Sequence, residues 1–356
     1  MKKKILISTG GSGGHVVPAT ILYQHLKDLN EVSMTCDNRG LKFLNQKDYD
    51  LTIFNINPFK TNFLLLPLNI FKILILTIKS FIFLKKKKTE VLISTGGYMS
   101  LPFCLASRLL NIKLYLFEPN IVIGRSNKLF LRYCKKIFCY SNKIKNFPKN
   151  QKNKIEIIPP LLRKKFYELN KIKKINDQIN LLVIGGSQGA KIFDTLINEI
   201  LVKISNKYSI KVIHQTSEKN IFSLKNFYKE NKIENKVFNF DQNLNELMRQ
   251  SDLCITRAGA SSLAELSLYN IPFIAIPLPT SKDNHQYENA KYYQDKDCCW
   301  IIDQNDFDKQ KFEELLIKIS VKKDEYFTKK NNLKELNYQN TWKNVNQKLL
   351  EIFNEY

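Results

Sequence analysis

Short apolar runs recur along this chain between longer mixed stretches, and four of them end directly in a glycine turn. Ile5 to Ser8 leads into TGGSGGH, Val91 to Ser94 into TGGYMS, Leu181 to Ile184 into GGSQGA, and Leu253 to Thr256 into RAGASS. Each reads as a buried strand, a tight turn and a following helix, the repeating unit of a doubly wound parallel sheet. The chain has only twelve glycines, so their position after these runs is informative. Two units fall in each half. Between about residues 145 and 180 the periodicity lapses into Lys- and Asn-rich sequence containing Pro148, Pro159 and Pro160. The expectation is an α/β protein of two Rossmann-like domains, residues 1–160 and 161–356, parting near Arg163. Beyond about residue 306 the pattern predicts two polar amphipathic helices, the last able to pack back on the N-terminal domain.

One stretch breaks this rhythm. Phe63 to Leu84 is apolar enough to span a membrane by length and is followed by Lys85 to Lys88. It also contains Pro67, Asn69, Lys72 and Lys79, and charge near the middle of a span is costly. On a helical wheel Asn69, Lys72, Thr77, Lys79 and Ser80 share an arc of roughly 160 degrees. The segment therefore predicts an amphipathic helix whose apolar arc covers the sheet and leaves some apolar surface for lipid. The lysines after it suit anionic headgroups.

A chain of 356 residues with 44% hydrophobic and 25% charged residues has ample material for two cores. Its formal charge of +23 favours anionic partners without choosing among nucleic acid, lipid and phosphorylated substrates. Part of that charge belongs to a general richness in Lys and Asn. The seven cysteines show no CxxC spacing and no matching histidine cluster, so neither a zinc site nor a disulfide framework is expected. MKKKILIS has too short an apolar run for a signal peptide.

The glycine loops carry the candidate chemistry. In Gly10 to His15, positive φ and missing side chains let backbone N–H groups approach an anion at a helix start, and Pro18 suits the first turn of that helix. The spacing gives GxGG in place of GxGxxG, and no acidic residue closes a strand in the dinucleotide pattern, which disfavours a dehydrogenase. GGSQGA, Gly185 to Ala190, is a second cradle, with Ser187 offering a hydroxyl; neither loop is a Walker sequence. Two facing cradles suit a diphosphate held between the domains. In RAGASSLAE, Ser262 and Glu265 fit a capping box, and they fit equally a helix start at which Glu265 takes the hydroxyls of a ribose. His15, at the mouth of the first cradle, is placed to accept a proton from an attacking hydroxyl.

The ordered series TGGSGGH, TGGYMSLP, FEPN, GGSQGA, HQ, RAGASSLAE and KDNHQYENA, from Ile5 to Ala290, resembles the MurG family. That resemblance implies the GT-B architecture, two Rossmann-like domains facing an interdomain cleft. It also implies transfer of N-acetylglucosamine from UDP-N-acetylglucosamine to the muramoyl O4 of lipid I, giving lipid II. By the resemblance, His15 matches the general base, and Ser12, Gly13 and Gly14 the first glycine loop. Asn120, Arg163 and Ser187 match donor-binding positions. Ala260, Ser261, Ser262, Leu263, Ala264 and Glu265 match the helix start at phosphate and ribose, and Gln286 the residue that reads sugar hydroxyls. The usual HEQN is FEPN here, with Phe117 and Pro119; GNPVR is PPLLR, Pro159 to Arg163; and His285 stands beside Gln286 where a glutamine pair is common.

The expectation is thus a metal-independent inverting transferase with no cofactor, peripheral on the cytoplasmic face of the bacterial inner membrane through residues 63–88. The DxD triplets at Asp48, Asp295 and Asp306 close no apolar strand and read as surface charge. Its rivals are a membrane scaffold anchored through residues 63–88, another sugar-nucleotide enzyme of the same architecture, such as an epimerase, and a basic RNA-binding protein. The latter is disfavoured because no exposed aromatics interleave with the glycine loops, so no nucleic-acid partner is expected.

Overall fold

In a computed structural model the described residues are 2–54, 56, 66–168, 178–185, 192–239, 241, 243–321 and 323–354. The chain divides into two compact units, Met1–Arg163 with Thr341–Tyr356, and Lys164–Asn340.

The first unit holds β1 (Lys4–Ser8), α1 (Gly13–Leu26), β2 (Glu31–Cys36), β3 (Leu51–Ile53), α2 (Leu66–Lys86), β4 (Val91–Ser94), α3 (Ser100–Leu109), β5 (Lys113–Glu118), α4 (Arg125–Phe130), β6 (Lys136–Cys139) and β7 (Ile155–Ile157). Its strands are all parallel, in the order β3-β2-β1-β4-β5-β6-β7. The strands read as near-continuous apolar runs because both faces of the sheet are covered.

The second unit holds β8 (Ile179–Ile184), α5 (Asn198–Ser205), β9 (Ile210–Gln215), α6 (Ile221–Glu230), β10 (Glu234–Phe238), α7 (Leu244–Arg249), β11 (Leu253–Thr256), α8 (Ala260–Leu268), β12 (Phe273–Ala275), α9 (His285–Gln294), β13 (Cys299–Ile301), α10 (Lys309–Val321) and α11 (Lys323–Asn337). Its parallel order is β10-β9-β8-β11-β12-β13. In each sheet the order reverses beside the first strand, between β1 and β4 and between β8 and β11, which are the crevices where such folds take ligands.

The tail forms three helices and not two, since α12 (Trp342–Asn354) follows α11. Nor does the second compact unit run to residue 356: α12 packs on the first unit, with Val345, Leu349, Ile352 and Phe353 in one core with Ile5, Ile7 and Leu22 of β1 and α1. Trp342 stacks on His25 at 3.7 Å between ring centroids.

Helix α2 departs from expectation. Residues 63–65 of the segment lie outside the described residues. Over the rest, the small polar side chains point inward: Thr77 and Ser80 are buried, and the helix packs on α3. Leu68, Ile70, Phe71, Leu74, Ile75, Ile78 and Ile82 are exposed instead, with Lys72 and Lys79 exposed along one edge of the same arc. Phe83 turns inward to meet Phe54 and Phe103 edge-on. The inside-out arrangement leaves an apolar stripe that the sheet does not use, and by length and composition Pro67–Lys86 is long and apolar enough to cross a membrane.

Candidate functional site

Helix α1 begins at Gly13, so Pro18 lies inside it, past the first turn where it was expected, and the exposed Ser12 is its extended N-cap with no side chain capping it. Gly11, at φ +82°, turns the chain into the helix. Contrary to the expectation from the sequence, an acidic residue does follow a strand here. Asp37, buried at the end of β2, accepts the N–H of Gly11 at 2.7 Å and of Gly40 at 3.0 Å. It also accepts the hydroxyl of Tyr98, and Arg39 lies 3.5 Å away. The carboxylate thus ties the first glycine loop to the turn after β2 and fixes the loop's shape.

His15 lies half-buried in the first turn of α1, with Nδ1 2.7 Å from the carbonyl oxygen of Thr95 at the end of β4. The second glycine loop runs beneath the ring. A Cβ at Gly96 would come within 3.4 Å of His15 Cε1, and one at Gly97 within 3.3 Å of Cδ2.

Asn120 is tied to the same end of the sheet. Buried Glu118 accepts the Asn120 side-chain N–H at 2.9 Å, the Gly124 N–H at 2.7 Å and the Asn127 side-chain N–H at 3.0 Å. Asn127 in turn stands 3.6 Å from where a Gly96 Cβ would be. Ser12, Gly13, Gly14, His15 and Asn120 therefore gather at the carboxyl ends of β1, β4 and β5. Phe117, one of the departures, is a core residue, wholly buried and edge-on to Tyr140. Arg163 closes the first unit, half-buried, near Tyr49; burial raises the Tyr49 hydroxyl's pKa and the Arg163 charge opposes it.

In the second unit Ser187 and the rest of residues 186–191 lie outside the described residues. Helix α8 decides one open point. Its N-cap is Gly259 in extended conformation, with no side-chain cap, so Ser262 and Glu265 form no capping box. The first N–H groups of α8, at Ala260 to Ser262, have no acceptor within the helix. Leu263 and Ala264 are buried in the core and present only backbone to a ligand, whereas Ser261, Ser262 and Glu265 are half-buried.

Two side chains brace this turn. Arg257 donates to the carbonyls of Ile276 at 2.9 Å and Pro277 at 3.1 Å and to Gln304, while buried Asn289 donates to the Ala258 carbonyl at 3.1 Å. Gln286 accepts the Leu278 N–H at 2.9 Å. An N–H only donates, so the atom facing it is the amide oxygen, and the amide NH2 of Gln286 is the end that can meet a sugar oxygen.

The HQ pair opens a network that no local pattern signals. His214, fully buried at the end of β9, has Nδ1 2.7 Å from the Tyr228 hydroxyl and Nε2 3.3 Å from Asp194. Thr216 and Asn220 also donate to Asp194. Burial holds His214 below the usual histidine pKa against the carboxylate's pull. Among the described residues no group of three or more His, Cys, Asp or Glu could hold a metal ion.

Comparison with known proteins gives the lineage. Family profiles for the N-terminal and C-terminal domains of glycosyltransferase family 28 match residues 5–139 and 180–345. A protein of Pelagibacter ubique named UDP-N-acetylglucosamine--N-acetylmuramyl-(pentapeptide) pyrophosphoryl-undecaprenol N-acetylglucosamine transferase is 54% identical over 355 residues, covering 100% of both chains. The chain belongs to the MurG family. A Rickettsia canadensis relative of the same name is 34% identical, covering 85% of this chain and 86% of that one. The crystal structure of Acinetobacter baumannii MurG superposes with a TM-score of 0.79 at 22% identity, covering 100% of both chains. UDP-GlcNAc 2-epimerase from Neisseria meningitidis, bound to UDP-GlcNAc, matches with a TM-score of 0.67 at 12% identity, covering 99% of this chain and 100% of that one. Those two likenesses speak for the fold alone. This MurG-family chain thus has the GT-B class of fold, two Rossmann-like parallel sheets.

Proposed function

We propose that this chain is an inverting N-acetylglucosaminyltransferase that moves N-acetylglucosamine from UDP-N-acetylglucosamine to the muramoyl O4 of lipid I, giving lipid II for peptidoglycan synthesis. The full-length relationship at 54% identity carries the reading. In it, His15 takes the proton of the acceptor hydroxyl, the oxygen attacks the anomeric carbon, and the bond to UDP breaks with inversion from α to β. The first unit handles the acceptor and the second holds most of the donor, with Arg163 and Asn120 of the first unit reaching it. Negative charge developing on the leaving diphosphate meets backbone N–H groups at the start of α8, Ala260 to Ser262, together with Ser187 and Arg163. Glu265 accepts from the ribose hydroxyls, and the Gln286 amide donates to the sugar. Asn120, braced by Glu118, adds a donor contact from the first unit, and the loop of Ser12, Gly13 and Gly14 lines the acceptor side. The charge is met by dipoles and an arginine, with no metal ion in the scheme.

The enzyme works peripherally at the cytoplasmic face of the inner membrane. The outward apolar arc of α2, flanked by Lys72 and Lys79 and followed by Lys85 to Lys88, supports that reading: apolar side chains enter the headgroup boundary while lysines meet anionic lipid. The basic surface then serves lipid and diphosphates, and not nucleic acid. Leu74→Ser with Ile78→Ser should abolish sedimentation with phosphatidylglycerol vesicles, and undiminished sedimentation would remove this part of the reading.

The decisive assay incubates purified protein with labelled UDP-N-acetylglucosamine and a lipid I analogue. Label in a lipid-linked disaccharide is expected. Label appearing only in an epimerised sugar nucleotide, or none transferred, overturns the reading.

A further inference from the structure

We infer that Thr95, Gly96 and Gly97 form a positioning element for His15, in which the Thr95 carbonyl selects the protonated ring nitrogen and Gly97 keeps the other approachable. The inference rests on the reading of His15 as the base.

A carbonyl oxygen has lone pairs and no proton, so its 2.7 Å contact with His15 requires Nδ1 to carry hydrogen. In the neutral imidazole the lone pair is then on Nε2, and that is the nitrogen able to take a proton. A hydroxyl partner would have tolerated either tautomer; a carbonyl tolerates one.

The glycines act on the same ring. A Cβ at Gly97 would lie 3.4 Å from Nε2 and 3.3 Å from Cδ2, against the edge that an acceptor hydroxyl must reach. Both residues also need glycine for the backbone, with φ of +86° at Gly96 and +80° at Gly97. The turn is anchored at each end. Thr95 donates its N–H to the Ser8 carbonyl and its hydroxyl to Thr9; the Gly96 N–H reaches Ser94 Oγ at 3.2 Å, and Ser100 Oγ donates to the Gly97 carbonyl at 2.6 Å. The three residues after β4 thus supply a fixed hydrogen-bond acceptor and a bare floor at the switch point of the sheet.

Nitrogen-15 NMR of protein labelled in its four histidines, with His15 assigned by comparison with His15→Gln, reads the tautomer directly. At a pH above its titration, His15 should show a protonated Nδ1 and an unprotonated Nε2. The reverse pattern overturns the inference whether or not His15 proves to be the base. If instead His15→Ala transfers sugar normally, the base reading falls while the tautomer result still stands. Gly97→Ala should lower kcat by at least about tenfold with UDP affinity unchanged. Unchanged kcat, or UDP affinity lost in parallel, overturns the role of Gly97. Should that variant fail to fold, the wild-type tautomer measurement still decides.

Discussion

Both units reverse their strand order beside the first strand, and at that point they carry opposite chemistry. Between β1 and β4 the first unit holds an imidazole clamped to a carbonyl over two glycines. At β11, beside β8, the second unit offers a helix start with two serines, no titratable group in its first turn and no side-chain cap. The shared topology supplies a strand end and a helix beginning in the same crevice. What is threaded there decides whether the crevice can take up a proton or can only direct dipoles at an anion.

The comparison breaks most sharply at His15. His15→Ala should lower kcat by about 10² to 10⁴, the usual worth of a general base, and leave UDP binding unchanged because the proposed scheme gives His15 no contact with the donor. Single-turnover transfer and titration with UDP separate the two. Weakened UDP binding of similar size would mean that the division of labour is wrong.

Each unit also buries one histidine away from its crevice, and these differ too. His25, under Trp342 and α12, is held at about 4 by burial, opposed only by a hydrogen bond with Asn346. His214 faces the carboxylate of Asp194. For His25 the folded pKa lies below the unfolded value of 6.5, so between pH 6.5 and 4 the unfolded chain binds a proton that the folded chain refuses. Stability of the first unit is therefore full above that window and falls as the pH drops through it, by up to about 3 kcal/mol. Urea midpoints followed by Trp342 fluorescence in a Trp300→Phe background should show this slope, and His25→Gln should flatten it. An unchanged slope in His25→Gln would assign the acid sensitivity to other groups.

A smaller effect is expected on the donor side. Glu265→Ala should weaken UDP binding by roughly 10- to 100-fold, the worth of charge-assisted hydrogen bonds to a ribose. Binding of inorganic pyrophosphate, which has no ribose, should not change. Equal loss for both ligands would show that Glu265 supports the helix and not the sugar.

How much of this could be read beforehand follows from what each signal encodes. The glycine turns marked the strand ends because glycine is scarce here, and in the first two of them positive φ at Gly11, Gly96 and Gly97 leaves little alternative. Asp37 is not legible in that pattern because it comes 26 residues after Gly11, beyond the roughly 20-residue spacing of a dinucleotide acid. The wheel of α2 grouped Lys72 and Lys79 with Asn69, Thr77 and Ser80, but the fold splits that arc, burying Thr77 and Ser80 and leaving the lysines exposed beside the apolar stripe. Periodicity separates polar from apolar positions, but Thr77 and Ser80 fit against α3, and which face turns inward depends on what lies outside. The partners of His214, Asp194 and Tyr228, sit 20 and 14 residues away, so no window along the chain joins them.

The smallest effect is the most discriminating. Had Ser262 and Glu265 formed a capping box, Ser262→Ala would cost about 1 kcal/mol of stability. With Gly259 as the N-cap, Ser262 stands in the first turn, where its hydroxyl satisfies no orphan N–H as a cap. Thermal unfolding of Ser262→Ala should then lie within about 0.5 kcal/mol of the parent, as for an ordinary surface substitution. A loss near 1 kcal/mol would mean that the helix starts three residues later than described. The serine would then serve the helix, and the contrast between a proton-taking crevice and a dipole-directing one would lose its second half.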